Sequence, residues 1–126
     1  MRLLDSNIVI YAVQSSNAWL RKEILKEPFA VSQTTRVEVL GWHLITPEDE
    51  ADLTTFMKAG TLFSITDSVA DRAVILRQQR KISLGDALIA ATALEYGCEL
   101  VTRNTHDFRT ISGLSLVNPF DRGPIE

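Results

Sequence analysis

The chain has 126 residues, of which 45% are hydrophobic and 23% charged, and it carries a formal net charge of −3 and one cysteine. This length supports a single domain around one hydrophobic core. Because Cys98 stands alone, an internal disulfide and a cysteine-based zinc site are excluded. No apolar run approaches the roughly 20 residues of a membrane span, and the two leucines before Asp5 leave no room for a signal peptide. We therefore expect a cytoplasmic protein with no membrane partner.

The negative net charge does not exclude a nucleic-acid partner. If the four acids singled out below are set aside, 12 of the 16 acids remain against 13 lysines and arginines. Divalent cations bound among those four acids would make the site attract phosphate instead of repelling it. Net charge therefore decides little about the partner.

Short apolar runs alternate with longer helical patterns along the chain, which is typical of a parallel sheet flanked by helices. In chain order we predict strands at residues 2–4, 29–32, 61–65, 99–102 and 114–117. We predict helices at residues 6–14, 17–27, 34–45, 67–80 and 83–96, with a further helix opened by Thr46 and Pro47. A single domain is expected over residues 1–126, in which residues 119–126 form an irregular tail.

Four acids lie within or beside these apolar segments, namely Asp5, Glu38, Asp86 and Asp107. A buried carboxylate without a partner is costly, so several of them in apolar surroundings require compensation. The predicted order of strands and helices lets all four meet at one edge of the sheet. Ligand sets made only of oxygen suit Mg²⁺ or Mn²⁺. The sequence therefore predicts a magnesium or manganese site for phosphate chemistry.

Two of the acids also have a structural interpretation as helix caps. Asp5 can cap the helix that follows it, but Ser6 and Asn7 are also good caps, so we favour a ligand role for Asp5. Ser83 and Asp86 have the spacing of a capping box. Ile89, Ala90 and Ala93 follow Asp86 on the same helix face and are small or apolar, so this face is expected to pack inward. Asp86 can therefore belong to the cap and also bind a metal ion.

The other two acids are less informative alone. Glu38 is predicted in mid-helix, where capping does not explain it, and its helix face carries Thr35, Trp42 and Ile45. An ion pair with a nearby arginine is the alternative for Glu38. Asp107 is predicted in a polar loop, where aspartates usually form turns.

The segments around these acids resemble the motifs of the PIN domain family, and particularly of the VapC-type toxins of bacterial and archaeal toxin–antitoxin systems. The resemblance spans residues 2–120, and its motifs are LLDSNIVIY at residues 3–11, VEVLG at 37–41, GDALIAATA at 85–93 and TRNTHDF at 102–108. It implies a three-layer α/β sandwich with a five-stranded parallel sheet and Mg²⁺- or Mn²⁺-dependent endoribonuclease activity. It also implies homodimers and inhibition by a small antitoxin protein whose tail enters the acidic groove.

The resemblance also implies roles for individual residues. It places the four acids at the family's metal-site positions, with Asn104 in support, and Ser6 stands where the family commonly has threonine. We expect Asp5 and Asp86 to be direct ligands, while Glu38 and Asp107 bind directly, act through water or complete a second metal site. Thr102 and Ser6 are further candidates for polar outer contacts.

Four basic residues approach the site in sequence and are candidates for holding the RNA backbone, namely Arg77, Arg80, Lys81 and Arg103. A solvated helix face is the alternative interpretation for them. Two other functions remain open at this point. One is a catalytically silent PIN-like module that only binds proteins, and the other is a metal-dependent nuclease outside a toxin–antitoxin pair, including one that acts on DNA.

Overall fold

The computed structural model describes residues 1–123 of the chain. The strands are β1 (Arg2–Leu4), β2 (Phe29–Ser32), β3 (Thr61–Phe63), β4 (Glu99–Val101) and β5 (Leu116–Val117). The α-helices are α1 (Ser6–Val13), α2 (Ala18–Leu25), α3 (Gln33–Leu40), α4 (Pro47–Lys58), α5 (Asp67–Gln79), α6 (Leu84–Tyr96) and α7 (Thr105–Phe108). Short 3₁₀ turns lie at Ser15–Asn17 and Pro119–Asp121. Within residues 1–123, no helix has the length and apolar character needed to cross a membrane.

All five strands pair in parallel, in the order β3-β2-β1-β4-β5. Side chains alternate between the two faces of a strand, so successive residues of one strand belong to two separate cores, while residues in register share a core. Leu3, Ala30 and Leu100 face one core, and Leu4, Val31 and Val101 face the other. The predicted five-stranded parallel α/β sandwich is therefore confirmed.

Helices cover both faces of this sheet. The first core is closed by α5, through Val69, Ala73 and Leu76, and by the alanine-rich buried face of α6. The second core is closed by the buried residues of α1, α2, α3 and α4. Burial of one large aliphatic side chain contributes about 1.5–3 kcal/mol, so the two cores supply most of the driving force for folding.

The ends of α6 form as the sequence predicts. The Ser83 hydroxyl accepts a hydrogen bond from the Asp86 N–H at 3.1 Å and caps the N-terminus of the helix. Gly97 adopts the left-handed conformation with φ 65° and ends the helix, and the Cys98 N–H then donates to the Ala93 carbonyl at 2.8 Å. These two caps fix where the helix head lies relative to the sheet.

The predicted helix at 34–45 is wrong in its second half, because α3 ends at Leu40. Gly41 N–H donates to the Val37 carbonyl at 2.8 Å, and a Cβ at residue 41 would stand only 2.4 Å from that carbonyl oxygen. Residues 42–45 instead form a turn that leaves the Trp42 side chain 52% exposed. Thr46 then caps α4 by accepting from the Asp49 N–H.

Several other boundaries differ from the predictions. The third strand ends at residue 63 instead of 65, and the last strand begins at residue 116 instead of 114. Of the tail predicted to be irregular, Pro119–Asp121 form a 3₁₀ turn in which the Asn118 side-chain oxygen accepts from the Phe120 N–H at 2.9 Å. Residues 124–126 of that tail lie outside the described residues.

The strand order reverses direction at β1. The chain places β2 and then β3 on one side of β1, and returns to place β4 and then β5 on the other side. In parallel α/β sheets, such a switch point opens a crevice at the carboxyl ends of the strands. The segments that leave β1, β2 and β4 carry Asp5, Glu38 and Asp107, and Asp86 lies at the head of α6, the helix that leads into β4.

Candidate active site

Asp5 lies at the carboxyl end of β1 and is 6% exposed. Its backbone N–H donates to the Val101 carbonyl at 3.1 Å, which extends the pairing of β1 with β4. Its side-chain oxygen Oδ1 accepts from the Ile8 N–H at 2.8 Å and caps α1. Asp5 is therefore the N-cap of α1, a role that Ser6 or Asn7 could also have filled on the sequence alone.

The pKa of the Asp5 carboxyl lies above its ordinary value, chiefly because burial penalises the charged form. The Thr102 hydroxyl and the Ile8 N–H favour the carboxylate and oppose this increase. The charges of Asp86 and Glu38 raise the pKa further. The pKa of Asp5 therefore depends on the charges of two of the other predicted acids.

Asp86 is the third residue of α6, half-buried at the head of the helix. Burial is again the largest cause of its raised pKa, and the Ser83 hydroxyl opposes it. Asp107 and Glu38 contribute repulsive charge that raises the pKa of Asp86 as well. The pKa shifts of Asp5 and Asp86 therefore involve all four predicted acids, which are called the acidic site below.

Glu38 extends from α3 with an exposed side chain. Its Oε1 accepts a hydrogen bond from the Ser6 hydroxyl at 2.7 Å. Within residues 1–123 the carboxylate makes no salt bridge, so the arginine ion pair considered as an alternative does not form there. Hydrogen bonding, and not ion pairing, holds Glu38 toward the strand ends.

A chain of hydroxyl groups leads to Glu38. The Ser32 and Thr35 hydroxyls lie 3.3 Å apart, and those of Thr35 and Ser6 lie 3.1 Å apart. A carboxylate only accepts, so Ser6 donates to Glu38 and has its own oxygen free to accept from Thr35. The hydroxyl of Ser32 then donates to Thr35. The sequence analysis did not identify Ser32 as part of the site. Its position could have been noticed, because Ser32 is a hydroxyl residue at the end of a buried strand.

Gly85 leaves room for the Glu38 carboxylate. A Cβ at residue 85 would lie 2.7 Å from Glu38 Oε2, closer than nonbonded atoms approach. Residue 85 directly precedes Asp86, so the absence of a side chain lets α3 and the head of α6 bring their acids together. Sequence analysis quoted this glycine within a motif but gave it no role.

Asp107 does not lie in the loop predicted for it but in the short helix α7, because the Asp107 N–H donates to the Asn104 carbonyl at 3.3 Å. The Asn104 amide donates to Asp107 Oδ2, and the Asn104 backbone N–H donates to the hydroxyl of the fully buried Thr102 at 3.0 Å. Thr102 thereby connects the Asp107 turn to Asp5. The residues predicted to support the site, Ser6, Thr102 and Asn104, all contact its acids.

The basic candidates lie in two places. Arg77 and Lys81 are exposed at and just after the end of α5, and Arg80 is half-buried there with Nη2 donating to the Gln79 side chain at 3.3 Å. Arg103 is exposed in the loop between β4 and α7, between Thr102 and Asn104 in the chain. Of the four, Arg103 lies in the loop that leads from Thr102 to the helix of Asp107.

The chemistry of the donors fits a hard divalent cation. The site offers carboxylate, hydroxyl and amide oxygens, which suit Mg²⁺ or Mn²⁺. Within residues 1–123, no three histidine, cysteine, aspartate or glutamate side chains converge closely enough to form a preformed metal cluster. The raised pKa values of Asp5 and Asp86 indicate carboxylates in need of positive charge, which a cation would satisfy.

Two cavities lie at different distances from the acids. A cavity of about 790 Å³ lies at the opposite sheet edge beside Arg2, Cys98 and Glu99, away from the acids. A groove of about 530 Å³ opens directly beside Glu38 and is mainly apolar; it is lined by Ile10, Gln14, Glu38, Val39, Trp42, Ile45, Asp49 and Leu53. The acidic site is therefore continuous with an apolar groove between α1, α3 and α4.

The fold and the site define an α/β protein with four carboxylates near the switch point of a parallel sheet. The chain belongs to the PIN domain family, whose model matches residues 2–114. The resemblance seen in the sequence is thereby confirmed. Among the curated proteins, none matches the chain significantly.

Solved structures of similar chains agree with this assignment. A chain of a toxin–antitoxin complex from Klebsiella pneumoniae is 33% identical with a TM-score of 0.77, over 94% of this chain and 98% of that one. VapBC2 from Rickettsia felis, bound to a DNA fragment from its promoter, is 22% identical with a TM-score of 0.79, over 93% and 97% of the two chains. FitAcB from Neisseria gonorrhoeae is 22% identical with a TM-score of 0.75, over 95% and 99%. The last two support the fold alone.

Proposed function

We propose that this chain is the VapC-type toxin of a toxin–antitoxin pair and hydrolyses RNA phosphodiester bonds with Mg²⁺ or Mn²⁺. Membership of the PIN family and 33% identity with a chain of a toxin–antitoxin complex support the toxin role. The observation that carries the chemistry is the placement of Asp5, Glu38, Asp86 and Asp107 at one sheet edge, where burial first, and then the charges of the neighbouring acids, raise the pKa of Asp5 and of Asp86. A cytoplasmic location goes with this proposal, because RNA is found there.

The four acids would hold the cation, with Asp5 and Asp86 as direct ligands and Glu38 and Asp107 completing the site. Such a cation supplies an activated water and neutralises charge on the phosphate oxygens. The chain orients the carboxylates in advance, since Asp5 is fixed by the Ile8 N–H and Glu38 by the Ser6 hydroxyl. Orientation before binding reduces the entropy lost when the reacting groups assemble.

The antitoxin partner would cover the acidic site and the neighbouring apolar groove together. Ile10 and Trp42 offer exposed apolar surface in the groove, and Glu38 lies at its border with the acids. An amphipathic segment that ends in an arginine fits both parts, because the planar guanidinium pairs bidentately with a carboxylate. A complex in which the acids stay open to solvent would contradict this mode of inhibition. We also propose a homodimer, which sedimentation of the free protein tests.

The experiment that tests the proposed function is cleavage of labelled RNA by the purified, antitoxin-free protein. We expect cleavage with Mg²⁺ or Mn²⁺, none with EDTA, and a loss of at least 100-fold in the Asp86→Asn variant, because one removed ligand weakens the whole site. Glu48→Gln serves as a control, since Glu48 lies in the exposed first turn of α4. Equal cleavage in EDTA would contradict the metal mechanism.

The same assay separates the alternative functions. A PIN-like module that only binds proteins would leave RNA intact under all metal conditions while still binding an antitoxin. A nuclease directed at DNA would cut single-stranded DNA of the same sequence at least as fast as the RNA. Cleavage of RNA alone, dependent on the metal and on Asp86, is the outcome that the proposal predicts.

A further inference from the structure

The C-terminal turn packs an aromatic ring against the helices near the acidic site. Phe120 lies edge-on to Tyr11 of α1 at a centroid distance of 5.4 Å and edge-on to Trp19 of α2 at 5.3 Å. Such pairs contribute about 0.5–1.5 kcal/mol beyond the area they bury. Phe120 therefore joins the C-terminal turn to α1 and α2.

The exposed guanidinium of Arg103 rests on this aromatic cluster. Its central carbon lies 4.2 Å from the centroid of the Phe120 ring and 5.5 Å from that of Tyr11. Both distances fall within the range of about 6 Å in which a ring attracts a cation. The guanidinium therefore lies over the Phe120 ring, with the Tyr11 ring also within reach.

The backbone of Arg103 is held by the same turn. The Asn118 side-chain amide donates to the Arg103 carbonyl at 3.4 Å, while its oxygen accepts from the Phe120 N–H at 2.9 Å. Asn118 therefore ties the loop that carries Arg103 to the turn that carries Phe120. One short C-terminal segment fixes both the backbone and the side chain of this arginine.

The backbone of Arg103 lies between two residues that contact the predicted acids. Thr102 contacts Asp5 and accepts from the Asn104 N–H, and Asn104 donates to Asp107. The residues on both sides of Arg103 thus belong to the acidic site. Among the residues that the structure describes, the Arg103 side chain makes no salt bridge and donates no hydrogen bond, although a guanidinium carries five N–H donors.

We propose that Arg103 is a substrate-anchoring residue that binds a backbone phosphate of the RNA next to the acidic site, and that Phe120 and Asn118 hold it in position. The inference rests on the function proposed above. A guanidinium with its face on a ring offers its edge to a phosphate in bidentate geometry. Because the side chain is ordered before the RNA arrives, less entropy is lost on binding. Arg77, Arg80 and Lys81 have no such aromatic support in the described residues.

The test measures binding of a labelled 12-nucleotide single-stranded RNA by anisotropy, in Mg²⁺ and at several salt concentrations. An Asp5→Asn background, which keeps the cap, prevents cleavage. We expect Arg103→Gln to weaken binding about tenfold and to lower the slope of log K against log salt by about 0.7, the value for one phosphate contact on a single strand. Arg103→Lys and Phe120→Leu keep the charge, so we expect the slope to be kept while affinity falls several-fold.

The control is Arg36→Gln, which also removes one exposed arginine. Arg36 lies two residues from Glu38 on α3, about 200° around the helix and so directed away from the site. We expect less than a twofold change in affinity. Circular dichroism shows whether Phe120→Leu is folded. Arg103→Lys keeps the charge and removes the planar guanidinium, so it tests the same contact with a change at an exposed position. Equal affinity and salt slope for Arg103→Gln and Arg36→Gln would overturn the anchor.

Cleavage kinetics in the parent background keep the two proposals separate. Arg103→Gln should raise KM about tenfold with kcat within twofold, as expected for a group that binds ground and transition states alike. Cleavage with an unchanged KM would overturn the anchor while the nuclease function stands. If the parent binds RNA in a way that depends on Arg103 but does not cut it, the nuclease function falls and the anchor stands.

Discussion

The Ser6 hydroxyl donates to Glu38 Oε1 at 2.7 Å and thereby joins the first turn of α1 to the last turns of α3 across the strand ends. Ser6 directly follows Asp5, so the same turn of α1 orients two of the four acids. The bond also explains how an exposed glutamate is kept facing the site without an ion pair. Positioning of Glu38 by a hydroxyl is the first relationship that mutagenesis can examine.

Replacement of Ser6 by alanine should lower RNA cleavage by about tenfold while leaving the fold intact. A hydrogen bond to a charged group contributes about 1.5 kcal/mol, which corresponds to about a factor of ten in rate. Ser6→Thr keeps the hydroxyl and should retain cleavage within about threefold of the parent. The measurement is kcat/KM for RNA in Mn²⁺; equal rates for the alanine variant and the parent would show that Ser6 does not orient Glu38.

Replacement of Gly85 by alanine should separate stability from activity. The new Cβ would lie 2.7 Å from Glu38 Oε2, and the flexible carboxylate would turn away from it. Because alanine favours a helix over glycine by up to about 1 kcal/mol, the melting temperature should stay the same or rise. Cleavage should nevertheless fall at least tenfold.

A double variant provides the control for this explanation. If Gly85→Ala acts only through Glu38, then adding it to Glu38→Gln should cause little further loss, since the two changes remove the same interaction. Multiplicative losses in the double variant would show that Gly85 matters for another reason, such as the placement of Asp86.

The raised pKa of Asp5 predicts how stability varies with pH in EDTA. An aspartate titrates near pH 3.9 in the unfolded chain and at higher pH in the folded one, so the folded state binds the extra proton between those values. Stability from this group is therefore present below the unfolded pKa and is lost as pH rises through the folded pKa. Asp5→Asn should melt at or above the parent at pH 7, with the difference closing near pH 4.

With Mg²⁺, the parent should melt at a higher temperature than Asp5→Asn, the reverse of the order in EDTA at pH 7. Binding to the native state raises the melting temperature of the parent, and the Asp5→Asn variant should gain much less. The asparagine oxygen can still accept from the Ile8 N–H, so the helix cap is retained. If Asp5→Asn melts well below the parent in EDTA at pH 7, the Asp5 carboxylate stabilises the fold itself, and the predicted strain of the metal-free site is contradicted.

Expression of the chain without a partner should arrest bacterial growth. Asp5→Asn or Asp86→Asn should relieve the arrest, and Glu48→Gln should not, because Glu48 serves the N-terminus of α4 and lies outside the acidic site. The measurement is the growth rate after induction, with the protein level determined for each variant. Equal arrest by parent and site variants at equal levels would refute the toxin role of these acids.

The sequence was sufficient to predict the sheet and most of the helices. These features follow from local patterns: apolar strand runs, the Ser83 cap and Gly97 at the end of α6. The end of α3 was missed, because a glycine within an otherwise helical pattern does not by itself mark a stop. The helix at Asp107 was missed because four residues carry too little periodicity to distinguish a turn of helix from a loop.

Contacts between distant segments were harder to predict. The packing of Arg103 on Phe120 joins residues 17 positions apart and depends on a turn that composition alone indicated as irregular. The space that Gly85 leaves for Glu38 depends on how α3 and α6 meet, which no local pattern encodes. The chemistry of the site therefore stays a prediction from the sequence, and the structure identifies the residues that position its acids.

The most direct measurement of the central claim is a Mn²⁺ titration of the metal-free protein by calorimetry at pH 7.5, without RNA. We expect saturable binding by the parent and by Glu48→Gln, and at least tenfold weaker binding by Asp5→Asn and by Asp86→Asn, since each removes a ligand. The metal concentration for half-maximal RNA cleavage should increase in the same order. Equal Mn²⁺ affinity in the parent and both aspartate variants would contradict the claim that these acids form the metal site.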